Sequence, residues 1–131
     1  MILVDTSIWI DAIQGRGEIP ILIEMMQDKR VLLHPWVFGE LLVGNLGQKR
    51  EKILNELQIF PKAPIYSLEE LQSFIDAEKL FGKGLSLIDA QLIYTALVND
   101  CMLWTRDKSL LLLAKRYKKV YDPRLSIRID G

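Results

Sequence analysis

Short apolar runs alternate with amphipathic stretches along the whole chain. Three segments, each built on three consecutive apolar residues, predict buried strands at 2–5, 31–33 and 102–105, and Val120 with Tyr121 predicts a final short strand. Strands without alternation are typical of a parallel sheet that is covered on both faces. The pattern therefore predicts an α/β fold with three layers, α/β/α, around a short parallel sheet.

The segments between these strands carry helical periodicity and helix-terminal residues. They predict helices at 6–13, 18–27, 34–44, 49–57, 67–81, 86–99 and 108–117, with an extended piece at 58–60. Pro35 takes an early helical position, where its missing N–H costs little, and Ser67 with Glu70 fits a capping box. The helix that begins at Ser86 is the clearest, because one face is apolar at helical spacing: Ile88, Leu92, Ile93, Ala96 and Leu97.

Length and composition agree with this picture. At 131 residues, 50% of them hydrophobic and 26% charged, residues 1–131 are predicted to form a single domain. One cysteine, Cys101, and one histidine, His34, exclude an internal disulfide and a His/Cys zinc site within this chain. No apolar run reaches the ~20 residues of a membrane span, and no basic segment precedes the first apolar residues. We therefore expect a cytoplasmic protein without membrane association.

The net charge is zero, but the charges are unevenly distributed. Residues 1–100 carry 9 Lys and Arg against 14 Asp and Glu, whereas residues 101–131 carry 8 against 3. The basic segment is either a solvated helix and tail or a basic rim that guides a polyanion toward an acidic pocket. Candidate phosphate contacts are Arg16, Lys83, Arg106 and Lys108, although solvation at the surface is the simpler explanation for each.

Four carboxylates border the predicted sheet: Asp5, Glu40, Asp89 and Asp107. Ligands of parallel sheets bind at the carboxyl ends of the strands. Asp5 lies at one such end and Asp107 just past another, while Glu40 and Asp89 lie on helices that could border the same crevice. A pocket with about four negative charges requires a divalent cation, and Mg²⁺ and Mn²⁺ prefer oxygen ligands. The set predicts a metal-dependent enzyme that acts on phosphate esters.

Three of these acids have ordinary structural explanations. Asp5 and Asp107 could be helix N-caps, and Asp89 could complete a Ser-x-x-Asp capping pattern with Ser86. Glu40 is different, because its own helix offers no cationic partner and a buried unpaired carboxylate is costly. Glu40 therefore either lies on a narrow exposed stripe or pairs with a group outside the helix, for which a metal is a good candidate.

Several neighbouring polar residues have weaker signals. Thr6, Ser7 and Thr105 could bond to the ligand carboxylates or to water, or could merely cap helices. Asp11, six residues after Asp5, is expected at the surface or behind the metal ligands. His34 is more simply explained as a helix-entry residue than as a catalytic base.

The segments around the four acids resemble the motifs of PIN-domain nucleases. Val4-Asp5-Thr6-Ser7-Ile8-Trp9-Ile10-Asp11 resembles the N-terminal motif of that family, and Gly39-Glu40-Leu41-Leu42 with Gly44 is similar to its Glu-Leu-x-x-Gly segment. Leu87-Ile88-Asp89-Ala90 resembles the third acidic motif, and Leu103-Trp104-Thr105-Arg106-Asp107-Lys108 resembles the Thr-x-Asp motif. The chain length and the His34-Pro35 pair are most similar to VapC toxins of bacterial type II toxin–antitoxin pairs.

This resemblance implies a PIN-like fold and a Mg²⁺- or Mn²⁺-dependent endoribonuclease. Asp5 and Asp89 would be the principal metal ligands, and Glu40 and Asp107 would complete the site, partly through waters. One or two bound ions would activate a water for in-line attack on phosphorus. The resemblance also implies an RNA substrate, a cognate antitoxin and a homodimer.

Other functions stay open. The chain could be a non-catalytic PIN-fold module that binds RNA or protein through its basic C-terminal segment, or a PIN nuclease of RNA processing that is not a toxin. Phosphoryl transfer with Asp5 as the nucleophile is disfavoured, because the segment Asp5-Thr6-Ser7 lacks the second Asp of the haloacid-dehalogenase phosphatase motif.

Overall fold

The computed structural model describes residues 1–17 and 19–123. Within them, three strands and seven α-helices follow one another as β1 Ile2–Val4, α1 Thr6–Ile13, α2 Ile19–Gln27, β2 Val31–Leu32, α3 Pro35–Val43, α4 Arg50–Leu57, α5 Leu68–Ala77, α6 Leu87–Val98, β3 Met102–Trp104 and α7 Lys108–Arg116. A 3-10 turn, Gly47–Lys49, precedes α4. Glu18, where the second helix is predicted to begin, lies outside the described residues. None of the described helices is long and apolar enough to cross a bilayer.

The strands form one parallel sheet with the order β2-β1-β3. Ile2 and Leu3 pair with 31–32 on one side, and residues 2–4 pair with 102–104 on the other. Neighbouring residues of a strand point to opposite faces of the sheet. Since Leu3 and Val4 are both completely buried, helices cover both faces. The predicted α/β fold class with a short parallel sheet is confirmed.

The helix α6 is buried around more of its circumference than one apolar face predicts. Leu92 and Ile93 are completely buried, and so is the polar residue Gln91 between the apolar positions. The Gln91 side chain accepts a hydrogen bond from the Tyr66 N–H at 2.8 Å and donates to the Tyr66 carbonyl at 3.1 Å. This pair of bonds satisfies the buried amide and attaches the loop before α5 to α6.

The extended piece predicted at 58–60 is wrong. These residues form the turn that closes α4, because the Ile59 and Phe60 N–H groups bond back to carbonyls at the end of that helix. The extended pairing instead lies at Lys62, which forms a single parallel bridge with Leu33. Val120, where a final strand is predicted, likewise forms only an isolated bridge, with Leu103.

The helix α5 ends earlier than its sequence pattern predicts. The pattern runs to residue 81, but the helix ends at Ala77. Lys79 adopts a left-handed backbone conformation with φ 55°, and the Leu80 N–H bonds back to the Ile75 carbonyl. This is the hydrogen-bond pattern that commonly terminates helices, usually with glycine at the left-handed position.

Candidate active site

The register between β1 and β3 determines the centre of the site. Val4 pairs with Trp104, so the next residues, Asp5 and Thr105, leave the sheet side by side. The Asp5 N–H donates to the Trp104 carbonyl at 2.9 Å, and the Thr105 hydroxyl donates to Asp5 Oδ2 at 2.7 Å. Both side chains are buried. Residues 100 positions apart in the sequence are thereby in contact.

Capping does not explain the Asp5 carboxylate. Asp5 occupies the N-cap position of α1, but its side chain makes no cap hydrogen bond. Oδ2 instead accepts from the Ser7 hydroxyl at 3.0 Å as well as from Thr105. Oδ1 receives no hydrogen bond from the residues that the structure describes. Two hydroxyls therefore orient the carboxylate and leave one oxygen for another partner.

Glu40 joins this centre from α3. Its side chain is exposed, and Oε1 accepts a hydrogen bond of 2.6 Å from the hydroxyl of Thr6, the first residue of α1. Glu40 is thus both exposed and paired outside its own helix. Because Thr6 directly follows Asp5, this bond ties the α3 carboxylate to the first turn of α1, next to Asp5.

Asp89 and Asp107 both cap helices, as their structural explanations predict. Asp89 Oδ2 accepts from the Ser86 N–H at 3.0 Å, and the Ser86 hydroxyl accepts from the Asp89 N–H at 3.3 Å, which makes a reciprocal capping box on α6. Asp107 Oδ1 accepts from the Leu110 N–H at 3.0 Å at the start of α7. In these bonds each carboxylate uses one oxygen for its cap.

Electrostatics connects three of the four acids. Burial raises the pKa of Asp89, its bonds to Ser86 oppose the rise, and the negative charges of Asp107 and Asp5 add to it. A divalent cation would relieve this repulsion, and a set of carboxylate oxygens fits Mg²⁺ or Mn²⁺ in its chemistry. Within residues 1–17 and 19–123, however, no three acidic, histidine or cysteine side chains are already arranged around one metal position.

Asp11 lies in the interior rather than at the surface. Its side chain is 10% exposed, and the guanidinium of Arg106 contacts both carboxylate oxygens, Nε to Oδ2 at 2.7 Å and Nη2 to Oδ1 at 2.8 Å. Arg16 approaches Oδ1 at 3.5 Å. Two candidate phosphate contacts, Arg16 and Arg106, therefore face a carboxylate. This pair is not predicted from the sequence, although the apolar neighbours of Asp11 indicate that its carboxylate needs a cation.

The other two candidate phosphate contacts are more accessible. The Lys83 and Lys108 side chains are exposed and form no ion pair or hydrogen bond with the described part of the chain. Lys83 lines a cleft of about 220 Å³, together with Leu85, Ser109, Leu112, Leu113 and Arg116. A second cleft, of about 230 Å³, is lined by Ile8, Asp11, Ala12, Arg16, Gly17, Leu22, Trp104, Thr105 and Arg106.

His34 starts α3 instead of facing the acids. Its Nδ1 accepts from the Trp36 N–H at 2.9 Å, which makes it the N-cap, and the side chain is completely buried. Burial lowers the pKa of His34, while the nearby Gln91 side chain and Pro64 backbone oppose the change. No described residue makes a well-aligned hydrogen bond to Nε2. The helix-entry explanation of His34 accounts for its position.

Known proteins are similar to this chain in sequence and in fold. The sequence model of the PIN domain family matches residues 2–116. Ribonuclease VapC32 of Mycobacterium tuberculosis, in strains CDC 1551 / Oshkosh and ATCC 25618 / H37Rv, is 38% identical over 111 residues, which cover 84% of this chain and 87% of the relative. The crystal structure of PAE2754 from Pyrobaculum aerophilum has a TM-score of 0.60 over 98% of this chain and 94% of that chain, at 18% identity, and shares the fold. The resemblance seen in the motifs is confirmed, and the chain belongs to the PIN-domain family.

Proposed function

We propose that this protein is a metal-dependent endoribonuclease that hydrolyses RNA phosphodiester bonds. The main support is the buried Asp5 carboxylate, which accepts hydrogen bonds from two hydroxyls and makes no capping hydrogen bond to α1. Burial raises the pKa of Asp89, and the charges of Asp107 and of Asp5 itself lie close enough to add to the rise. The relation to a protein named Ribonuclease VapC32 supports RNA as the substrate.

Asp5 and Asp89 are the proposed principal ligands of a Mg²⁺ or Mn²⁺ ion, and Glu40 and Asp107 complete the site. Hard cations of this kind bind carboxylate oxygens and keep several waters. When bound, the ion supplies a water of lowered pKa and compensates negative charge on the phosphate. The asymmetric hydrogen bonding of Asp5 supports this assignment, because Oδ1 has no partner among the described residues.

The residues around the acids hold the carboxylates in place for this reaction. Ser7 and Thr105 orient Asp5 through Oδ2, and Thr6 orients Glu40 through Oε1. Glu40 is exposed, and its Oε2, which has no hydrogen bond with the described residues, is the proposed acceptor of the proton from the attacking water. No histidine is needed as a base, and the buried His34 serves the start of α3.

Lys83 and Lys108 are the proposed contacts to the RNA backbone. Both side chains are exposed, and neither is committed to a carboxylate of the described chain. The cleft beside Lys83 also contains the cationic side chain of Arg116, which suits a phosphate.

The test is an Asp5→Asn variant assayed on RNA with Mg²⁺ and Mn²⁺. The amide keeps the shape of the carboxylate but loses its charge, so cleavage should fall by more than the roughly 10–100-fold that a residue supporting a metal ligand costs. Lys115→Gln, an exposed change at the far end of α7, is the matched control and should cleave like wild type. Full activity of Asp5→Asn would contradict the assignment. RNA binding without cleavage by wild type would favour the non-catalytic module.

We further propose that the ribonuclease is the toxin of a type II toxin–antitoxin pair, acts in the cytoplasm and forms a homodimer. The similarity to a VapC protein supports this assignment. A short gene for a DNA-binding antitoxin should lie next to the gene of this protein, and its co-expressed product should copurify with the protein and inhibit RNA cleavage. A neighbouring product that neither binds nor inhibits would contradict the toxin assignment and would leave the nuclease assignment intact.

A further inference from the structure

Arg106 lies between two residues of the proposed site, and both it and Thr105 are hydrogen-bonded to residues near the start of the chain. The Thr105 hydroxyl donates to Asp5 at 2.7 Å, and the Arg106 backbone N–H donates to the Ser7 hydroxyl at 3.1 Å. The Asp107 N–H donates to the Thr105 hydroxyl oxygen at 3.0 Å. Thr105 and Arg106 are thus each hydrogen-bonded to a residue near the start of the chain, and Asp107 is hydrogen-bonded to Thr105.

The Arg106 guanidinium adds a further link, to Asp11 on α1. Its contacts of 2.7 and 2.8 Å to the two carboxylate oxygens form a bidentate pair. Asp11 is 10% exposed, and a buried carboxylate without a cation is strongly unfavourable. Arg16 is the weaker partner, since it approaches only to 3.5 Å and also bonds to Gln14. Arg106 is therefore the main counterion of Asp11.

The surroundings of the pair favour a lasting contact. It borders the cleft of about 230 Å³, whose walls include Ile8, Ala12, Leu22 and Trp104. Apolar walls lower the local dielectric constant and strengthen an ion pair. Although 64% of the Arg106 side chain is exposed, two of its three guanidinium nitrogens, Nε and Nη2, contact a buried carboxylate.

We propose that Arg106 is a positioning residue that acts through Asp11. The ion pair fixes segment 105–107 on α1 and so sets where Thr105 and Asp107 stand relative to the Asp5 carboxylate. Arg106 does not contact the RNA, in contrast to Lys83 and Lys108. This proposal rests on the proposed nuclease function.

The experiment compares Arg106→Gln, Asp11→Asn and the double variant with wild type. Each single change removes the same ion pair, so each should lower kcat by roughly 10–100-fold and weaken Mn²⁺ binding measured by calorimetry without RNA. Because both residues act as one unit, the double variant should have a kcat and a Mn²⁺ affinity no lower than those of the less active single variant. Circular dichroism confirms that the variants are folded. Arg106→Lys keeps the charge without the fork and should lose nearly as much activity as Arg106→Gln.

The salt dependence of RNA binding separates positioning from direct contact. In EDTA, the slope of log affinity against log salt changes by about 0.7 for each phosphate contact removed on single-stranded RNA. Arg106→Gln should keep the wild-type slope, as should the Lys115→Gln control. Lys83→Gln should reduce the magnitude of the slope, because it removes a proposed phosphate contact.

Three results would overturn the proposal. The first is a reduced slope in Arg106→Gln with intact activity in Asp11→Asn, which would make Arg106 a phosphate contact. The second is wild-type kcat and Mn²⁺ affinity in both single variants. The third is additive losses in the double variant. If wild type itself neither cleaves RNA nor binds Mn²⁺, the nuclease function fails and the positioning role fails with it.

Discussion

Asp89 caps a helix and is also a proposed metal ligand, two roles that are usually treated as alternatives. Its Oδ2 completes the capping box of α6, while its charge is repelled by Asp107 and Asp5. Asp107 caps α7 with Oδ1 in the same way. A cap uses one oxygen of a carboxylate, so the second oxygen can serve the site. At the residue scale, a capping role is therefore no argument against a functional one.

Isosteric substitution should separate these two roles in Asp89. Asp89→Asn keeps an acceptor for the Ser86 N–H but removes the charge that burial and repulsion disfavour. Without metal it should melt at or above the wild-type temperature, whereas Asp89→Ala should lose about 1 kcal/mol through the missing hydrogen bond to the Ser86 N–H. RNA cleavage should be strongly reduced in both. Thermal unfolding in EDTA with a parallel cleavage assay provides the measurement, and an Asn variant that cleaves like wild type would refute the ligand role.

The elements were largely predictable because their signals are local. Three apolar runs identify β1, β2 and β3, and Pro35, Ser67 and Ser86 mark helix starts where the structure has them. The ends are less predictable, as in α5, where the left-handed Lys79 terminates a pattern that continues in sequence. The four acids were found from their positions next to these elements.

The interactions that cross between elements were not predictable. Asp11 and Arg106 are 95 residues apart, and Gln91 and Tyr66 are 25 apart. Each pair exists because the packing of two helices or loops buries one polar partner opposite the other. Periodicity describes one element at a time, so it places such residues on a surface or a core face without a partner.

The start of α3 should make stability depend on pH. His34 is the buried N-cap of α3, and its Nδ1 accepts a hydrogen bond there. Because burial lowers the pKa of His34, the unfolded chain binds a proton at this residue more readily than the folded chain does. Stability from this group is complete above the unfolded pKa of about 6.5 and is lost as pH falls below it, by at most about 1.4 kcal/mol per pH unit. His34→Asn retains a cap acceptor without titrating. The free energy of unfolding, measured with urea, should decline more steeply between pH 7 and 5 for wild type than for this variant. Equal pH dependence in the two proteins would contradict the explanation.

At the scale of the whole molecule, repulsion between the acids disfavours the fold that brings them together. Asp5 directly follows the central strand, Asp107 follows a flanking strand, and Asp89 lies in the first turn of a buried helix. Folding concentrates their negative charge: burial is the main cause of the raised pKa of Asp89, and the charges of Asp107 and Asp5 add to it. A cation that binds only the folded chain should therefore raise the stability of the entire domain.

Divalent metal should raise the melting temperature of wild type. At 100 times the dissociation constant, Mg²⁺ or Mn²⁺ would add about 2.7 kcal/mol to the free energy of unfolding, which is several degrees for a chain of this size. Asp5→Asn should respond much less, because a principal ligand is missing. Scanning calorimetry with EDTA, with Mn²⁺ and with NaCl of equal ionic strength gives the comparison. An identical shift in both proteins would place the ion elsewhere.

The central strand of the sheet is synthesised before both of its partners, and six of the described α-helices separate it in sequence from β3. Val4 and Asp5 can meet Trp104 and Thr105 only after the whole segment between β1 and β3 has been made. A growing chain therefore has β1 and β2 but not the neighbour that orients Asp5. We expect a nascent chain to carry an incomplete site until β3 has emerged, so the ribosome that makes this proposed ribonuclease would not be exposed to its activity before that point.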